Sequence, residues 1–237
     1  MPARKSRRYV PYPVVMLRRI LFSLIFATSA LAADVPGDKD RQAAFERLSN
    51  EALATKLIDQ AAADIKVGHY EAALKKSEAA EAIRPNDPAI LNTKGAALLE
   101  LKRFSEAGKA FDVATELDPN AFAPQFNKGE MFTSQKKYSD AAVQFAVLRS
   151  RFGDLPLLKY EIYLCYALQG QKDLAEDALL AMRYPADGAA WYYAHAVDQI
   201  QSGNRKEGRR LISAAEAIHS DDLENYRDSL RDAGLLP

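Results

Sequence analysis

The side chains of this 237-residue chain that could do chemistry are few and scattered. Its three histidines, His69, His195 and His219, lie far apart, and none has a second His, Cys or carboxylate at metal-ligand spacing that a solvated surface does not explain better. His69 falls in an expected inter-helix turn, His195 inside an expected helix beside Trp191, and His219 near a helix end. The single cysteine, Cys165, has no partner for an intramolecular disulfide. It sits in the apolar run from Ile162 to Leu168, where a thiol acts as a small buried hydrophobe. No G-x-S-x-G, no H-E-x-x-H and no glycine-rich phosphate loop occurs. Carboxylates are plentiful, but most fall at exposed helical positions, and nothing in the pattern predicts the burial of two acids together. No cofactor, no metal and no catalytic group is expected.

What organises the chain is a period. Ala73, Ala107, Ala141 and Ala175 stand 34 residues apart. Tyr70, Phe104 and Tyr138 precede three of them by three positions, and Gly95/Gly129, Phe111/Phe145, Pro85/Pro119 and Asn86/Asn120 keep the same interval. A fixed period of this length marks an array of helical hairpins. The local signals agree with it. Asp87-Pro88 offers a capping side chain followed by proline at the first helical position. Ser105, Ser139 and Asp173 fall where second helices should be N-capped, and Pro85 and Pro119 stop second helices. Gly203-Asn204 reads as the tight turn of a fifth hairpin. Leu91, Leu98 and Leu101 form the stripe of an amphipathic first helix. Gly95, Gly129 and the alanines should let two helix backbones approach closely, with aromatics filling the wider gaps.

The second unit, from Leu91 to Asn120, resembles the tetratricopeptide repeat (TPR) family, whose pattern runs leucine, glycine, a large residue, A-x3-F, then proline. The matching residues are Leu91, Gly95, Leu98, Ala107, Phe111 and Pro119. The third unit keeps Gly129, Phe132, Ala141 and Phe145 but has Gly153 where proline is expected. The first has Ala73 and Pro85 but Ser77 for the aromatic. The fourth has Ala175 and Leu179, with Tyr163 replacing the glycine. A degenerate fifth carries Trp191, Gly208 and Ile212, one residue short of the period. The resemblance implies an all-α, right-handed α-solenoid of antiparallel hairpins with a C-terminal capping helix, of the kind found in exported bacterial TPR proteins. The array is expected over residues 51–220, in units of about 54–87, 88–121, 122–155, 156–188 and 189–220.

The same resemblance implies that first helices line a concave groove for a peptide or partner helix. Carried onto this chain, the inward positions are Ile58 and Ile65; Asn92 and Leu99; Phe126, Glu130 and Thr133; Tyr160, Leu164 and Ala167; and Tyr193, Val197 and Ile200. Phe126, Tyr160 and Tyr193 occupy matching positions, which suggests an aromatic ladder. These side chains either meet a partner or pack on one another, or lie beneath the C-terminal helix. The carboxylate clamp by which some TPR domains hold a peptide's C-terminus does not fit, since Asn92 is the one matching type and Glu130 has the wrong sign.

Residues 1–33 differ in kind. Arg4, Lys5, Arg7, Arg8, Arg18 and Arg19 stand without any acid, and an apolar run from Ile20 to Ala33 ends in Ala30-Leu31-Ala32. That is the pattern of a secretory signal peptide, cleaved near Ala32/Ala33, the run being short for a membrane span. An uncleaved anchor is the alternative; with no cysteine at the end of the run, a lipoprotein anchor is not expected. Met16-Leu17-Arg18-Arg19 would make a more ordinary start. Losing the leader removes six of the 32 Lys/Arg and none of the 32 Asp/Glu, leaving a formal net charge of −6. Dispersed acidic charge gives no footprint for nucleic acid. Residues 34–50 read as a linker that becomes helix-compatible near Arg41, and 221–237 as a capping helix carrying Leu223, Tyr226 and Leu230. The function expected is a non-catalytic protein-interaction scaffold of the periplasm or cell envelope, exported or extracellular, binding through the groove. The alternative is a self-assembling or structural subunit of an envelope complex, using the array's ends or convex face.

Overall fold

The computed structural model describes residues 38–219 and 223–236; the expected leader lies outside them. The chain divides into two units, residues 1–46 and 47–237. The described part of the first, residues 38–46, is an exposed stretch of helix in which Arg41 pairs with Asp38 and Gln42 donates to Glu46. The second unit holds the hairpins.

Eleven helices and no strand occur among the described residues. Five pairs follow one another: α1 (Asp38–Lys66) with α2 (Tyr70–Ile83), α3 (Pro88–Glu100) with α4 (Phe104–Leu117), α5 (Phe122–Ser134) with α6 (Tyr138–Phe152), α7 (Pro156–Gln169) with α8 (Lys172–Leu180), and α9 (Gly188–Gln201) with α10 (Arg205–Ile218). A last helix, α11, spans Glu224–Asp232. No described helix is long and apolar enough to cross a membrane.

The period is written most clearly in the backbone of the five turns within hairpins. Gly68, Lys102, Lys136, Gly170 and Gly203 all have φ between 58° and 90°. Each closes its helix with the same pair of bonds: Lys102 N donates to Leu99 O at 2.8 Å and Arg103 N to Leu98 O at 2.9 Å, and the other four repeat the pattern. This is the Schellman closure, which places one residue in the left-handed region and favours glycine there. Its consequence is that Ser105, Ser139 and Asp173 do not cap. The turn is so short that they fall at the second position of their helices, behind Arg103, Lys137 and Gln171, whose side chains make no capping bond. Ser139 Oγ instead donates to Gln169 Oε1 across to α7, at 2.7 Å. Asp87 does cap α3, accepting from Ala89 N (2.8 Å) and Ile90 N (3.1 Å) ahead of Pro88.

Ala73, Ala107 and Ala141 are wholly buried, with Phe111 and Phe145 beneath α3 and α5. Gly95 and Gly129 make room for those rings rather than for a second backbone. A Cβ on either would stand 2.5 Å from the Cε1 of Phe111 or Phe145. Each buried phenyl contributes about 1.5–3 kcal/mol by leaving water. The fourth hairpin is the thinnest, since α8 has nine residues and none is buried. The loop after it is fixed by Asp187, which accepts from Lys159 Nζ (2.9 Å) and Arg183 N (2.7 Å).

Candidate functional site

First helices of this fold present one stripe to the concave side, and the period sets which residues those are. The positions aligned with Asn92 are Phe126, Tyr160 and Tyr193; those aligned with Glu130 are Ala62, Ala96, Leu164 and Val197. The structure gives these positions different fates along the array. In the C-terminal half Tyr160, Leu164, Tyr193 and Val197 are 0% exposed and form one core cluster with Ile200, Ala167, Tyr226 and Leu230. The open aromatic surface expected there is therefore closed.

Helix α11 closes it. It caps the array from within, lying across the inner face with Leu223, Tyr226 and Leu230 buried. The Tyr226 ring stacks on Tyr193 (5.1 Å between centroids) and meets Tyr160 edge-on (5.1 Å). Ser229 Oγ donates to Glu161 Oε1 at 2.6 Å, and Arg227 pairs with Glu216 of α10. The expected ladder also stops short. Tyr160 and Tyr193 are 6.3 Å apart, but Phe126 is buried among Phe122 and Phe145, each 5.4 Å away, in the core between α5 and α6. Leu99 is likewise core, packed with Leu98, Phe111 and Met131. Thr133 is buried and bonds back to Gly129 O.

The N-terminal half of the groove stays open. A cleft of about 1060 Å³ lies between α1–α3 and the flank of α11. Its array wall includes Ala62, Ile65, Tyr70, Asn92, Ala96 and Glu100, and its other wall includes Asn225, Asp228, Arg231 and Asp232. Asn92 is half-buried and accepts from Asn127 Nδ2 at 2.9 Å. Of the inward positions expected from the register, Ile65 and Asn92 line this cleft, while Ile58 does not. Ala62 and Ala96 were legible in principle, because they share the register of Glu130; their small side chains are why the cleft is empty there.

Carboxylates of α3, α5, α7 and α11 lie close enough to act on one another, which the sequence pattern did not foretell. Glu161 is 1% exposed. Burial, with Asp232 nearby, pushes it up to about 8, against the lowering bond from Ser229. Half-buried Glu130 is held well above the ordinary carboxyl range, first by burial and then by Glu161, Asp232, Asp228 and Glu100. Glu100 is raised by burial and Asp232, while Lys102 and the Tyr70 hydroxyl pull it down. Ser134 Oγ donates to Asp232 Oδ2 at 3.0 Å. Such groups resist ionising together because like charges meet where little water reaches them. Among the described residues no three His, Cys, Asp or Glu side chains converge as metal ligands do. Cys165 lies wholly buried nearby, its thiol pushed up to about 12 by burial and by Glu161, which makes it inert at neutral pH. His195 stacks on Trp191 at 4.0 Å with Nδ1 against Trp191 O, and His69 and His219 flank α2 and α10.

No family model and no curated protein matches the chain. Solved structures do resemble it. MamA from Desulfovibrio magneticus RS-1, residue 41 to its end, shares 20% identity over 71% of this chain and 97% of that one, with a TM-score of 0.52. The MamA RS-1 ArsTM double mutant shares 20% identity over the same fractions, with a TM-score of 0.53. YrrB, described as a TPR protein with an unusual peptide-binding site, shares 17% identity over 80% of this chain and 97% of that one, with a TM-score of 0.48. At these identities the likeness is one of fold, and the fold is the tetratricopeptide-type α-solenoid that the period implied.

Proposed function

We propose that this protein is a non-catalytic interaction scaffold whose concave groove receives a helix or peptide of a partner protein. The observation that carries the reading is α11. The inner face of α7 and α9 already holds an amphipathic helix, seated by Tyr226 and Leu230. A surface that seats one helix in cis, and continues into an open cleft beside it, has the shape and lining of a helix receptor. YrrB, as described, binds peptide at its own site; that supports the class of partner but not the residues used. The basic and apolar run of residues 1–33 supports a location outside the cytoplasm, in the periplasm or beyond, with membrane contact only through the leader or an uncleaved anchor.

The test is site-specific photocrosslinking in the native host. A photoreactive residue at Ala96, on the cleft wall, should capture a discrete partner, whereas one at Val143 on outer helix α6 should not. Equal capture from both positions, or none from Ala96, rejects the groove. One observation favours assembly as a second reading: Val113 and Leu117 on α4 and Val143 and Val147 on α6 are large, apolar and exposed. Light scattering that shows a mass rising with concentration, abolished by Val143→Lys, would select it.

A further inference from the structure

Helices α8 and α10 follow the same tight turn, with Gly170 and Gly203 in the left-handed position and the same pair of closing bonds. Aligned on that turn, Asp173 corresponds to Lys206, Glu176 to Arg209 and Asp177 to Arg210. Each set follows the spacing that forms one stripe on a helix, and all six side chains are exposed. Earlier hairpins carry Leu74, Gly108 and Ala142 where the fourth has Glu176. Leu74 and Ala142 are buried, and Gly108 meets Met131 of the next hairpin. The fourth hairpin departs because α9 packs chiefly on α7, which leaves α8 without a buried residue and Leu180 74% exposed. Solubility at the end of an array accounts for a polar α10, but not for opposite signs at three successive equivalent positions. Lys172 and Glu207 are the charges of contrary sign on these helices. Arg210 pairs with Glu207, whereas Asp173, Glu176, Asp177, Lys206 and Arg209 make no ion pair among the described residues. A shallow groove of about 660 Å³ follows the α10 stripe from Asn204 to Ser213.

We infer that these two stripes seat a second copy of this chain in a two-fold dimer, with α8 of one protomer antiparallel to α10 of the other. As second helices of consecutive hairpins, α8 and α10 run the same way along one side of the array. A two-fold axis between them therefore makes both contacts at once, each acidic stripe meeting a basic one. Antiparallel pairing sets Asp173 opposite the partner's Arg210 and Asp177 opposite the partner's Lys206, with Glu176 and Arg209 between. Leu180, at the end of the acidic stripe, then covers the turn at the partner's Gly203. Charge chooses the partner and the direction of the helices, while exposed ion pairs add little strength each, so the dimer is weak and sensitive to salt. The surface is separate from the concave groove and from the exposed valines of α4 and α6, and it requires neither.

Sedimentation equilibrium of the full chain tests this. A dimer should form at low salt and weaken roughly ten-fold between about 50 and about 500 mM salt. One variant reverses α8 (Asp173→Lys, Glu176→Lys and Asp177→Lys), and a second reverses α10 (Lys206→Glu, Arg209→Glu and Arg210→Glu). Either reversal makes like charges meet in both contacts and should weaken the dimer by roughly 100-fold. An equimolar mixture of the two reversed proteins again opposes unlike charges in both contacts, so dimers holding one copy of each should return. Should a triple variant fail to fold, Glu176→Lys and Arg209→Glu alone take their places and are mixed in the same way. Wild type that stays monomeric at about 100 μM in low salt overturns the proposal. A mixture that stays monomeric does so too, and a mass climbing beyond two copies overturns the two-fold arrangement. Val143→Lys should leave the dimer intact; its loss in that variant would move the contact to α6 and overturn the assignment.

Discussion

Glu161 ties the seating of α11 to pH in a direction that can be worked out beforehand. Its carboxyl is buried on α7, accepts Ser229 Oγ from α11 at 2.6 Å, and faces Asp232 of α11, Glu130 of α5 and the neighbouring Tyr160 and Cys165. The folded state lifts it from an ordinary 4.5 to about 8. A raised carboxyl is protonated in the fold where it would be ionised in the unfolded chain. Its contribution is therefore fully present below the ordinary value, falls as pH rises through the window from 4.5 to about 8, and is flat above. Each unit of pH inside that window removes about 1.4 kcal/mol, so moving from about pH 5 to about pH 8 should cost on the order of 3 kcal/mol. Glu161→Gln keeps an oxygen for Ser229 and cannot titrate. Urea midpoints measured for both proteins at the two pH values should coincide in acid. At the alkaline end the variant should lead by roughly 1 M, taking a slope of 2–3 kcal/mol per molar for a chain of this size. Because ionisation can also be relieved by lifting α11 alone, trypsin cleavage after Arg227 or Arg231 should quicken with pH in the wild type relative to the variant. Parallel pH curves for the two proteins would refute the assignment.

Other perturbations isolate the parts that hold the groove in shape. Lys102→Gly and Lys136→Gly, at φ 58° and 59°, should each raise stability by about 0.5–1 kcal/mol, the relief of a left-handed L-residue less the greater freedom of unfolded glycine; thermal melts rising with each change, and additively with both, are the expected result. Gly129→Ala sets a Cβ against the Phe145 ring at 2.5 Å, and after the gain in helix propensity should still cost about 1–2 kcal/mol; adding Phe145→Leu should recover part of that in denaturant titrations, and full tolerance of Gly129→Ala alone would contradict the packing described. Asp187→Ala withdraws the acceptor for Lys159 and Arg183 N from a buried position, for a cost of about 2–3 kcal/mol, and hydrogen exchange should report it first in residues 181–190. Cys165 should react with a maleimide only at the rate of global unfolding, in step with the denaturant curve.

The array was legible because each unit must bury the same stripe against its neighbour, so Gly95 with Phe111 and Gly129 with Phe145 recur at one spacing. The tight turn was read at Gly203; Gly68 and Gly170 carry the same signal, whereas Lys102 and Lys136 hide it, because there closure is dictated by the register and not by the residue type. The caps at Ser105, Ser139 and Asp173 misled because propensity is a local signal, while a turn with one left-handed residue leaves no room for a capping side chain. Glu161 and Glu130 were illegible for a different reason. Glu130 stands at an inward position among mostly apolar neighbours and Glu161 beside one, and the return of α11 across the face, fixed by no periodic signal, helps to remove their water. Tyr160, Leu164, Tyr193 and Val197 follow the same logic. The repeat placed them on the concave side, and a helix outside the repeat decided that they are core.

The two halves of the groove differ by what one register position carries. Ala62 and Ala96 leave space in the first two hairpins; Glu130 is the crossover; Leu164 and Val197 fill the face in the last two and give Tyr226 and Leu230 something to pack on. Where the position is large, the array binds its own helix, and where it is small, it stays open. The polar edge of α11 then falls along the boundary between the halves, which brings Asp228 and Asp232 to the carboxylates of α3, α5 and α7. Each aspartate has a partner there: Asp228 pairs with Arg231 one turn further along α11, and Asp232 accepts from Ser134 Oγ of α5 at 3.0 Å, so the polar edge of α11 ties the cap to the third hairpin where its apolar seat ends.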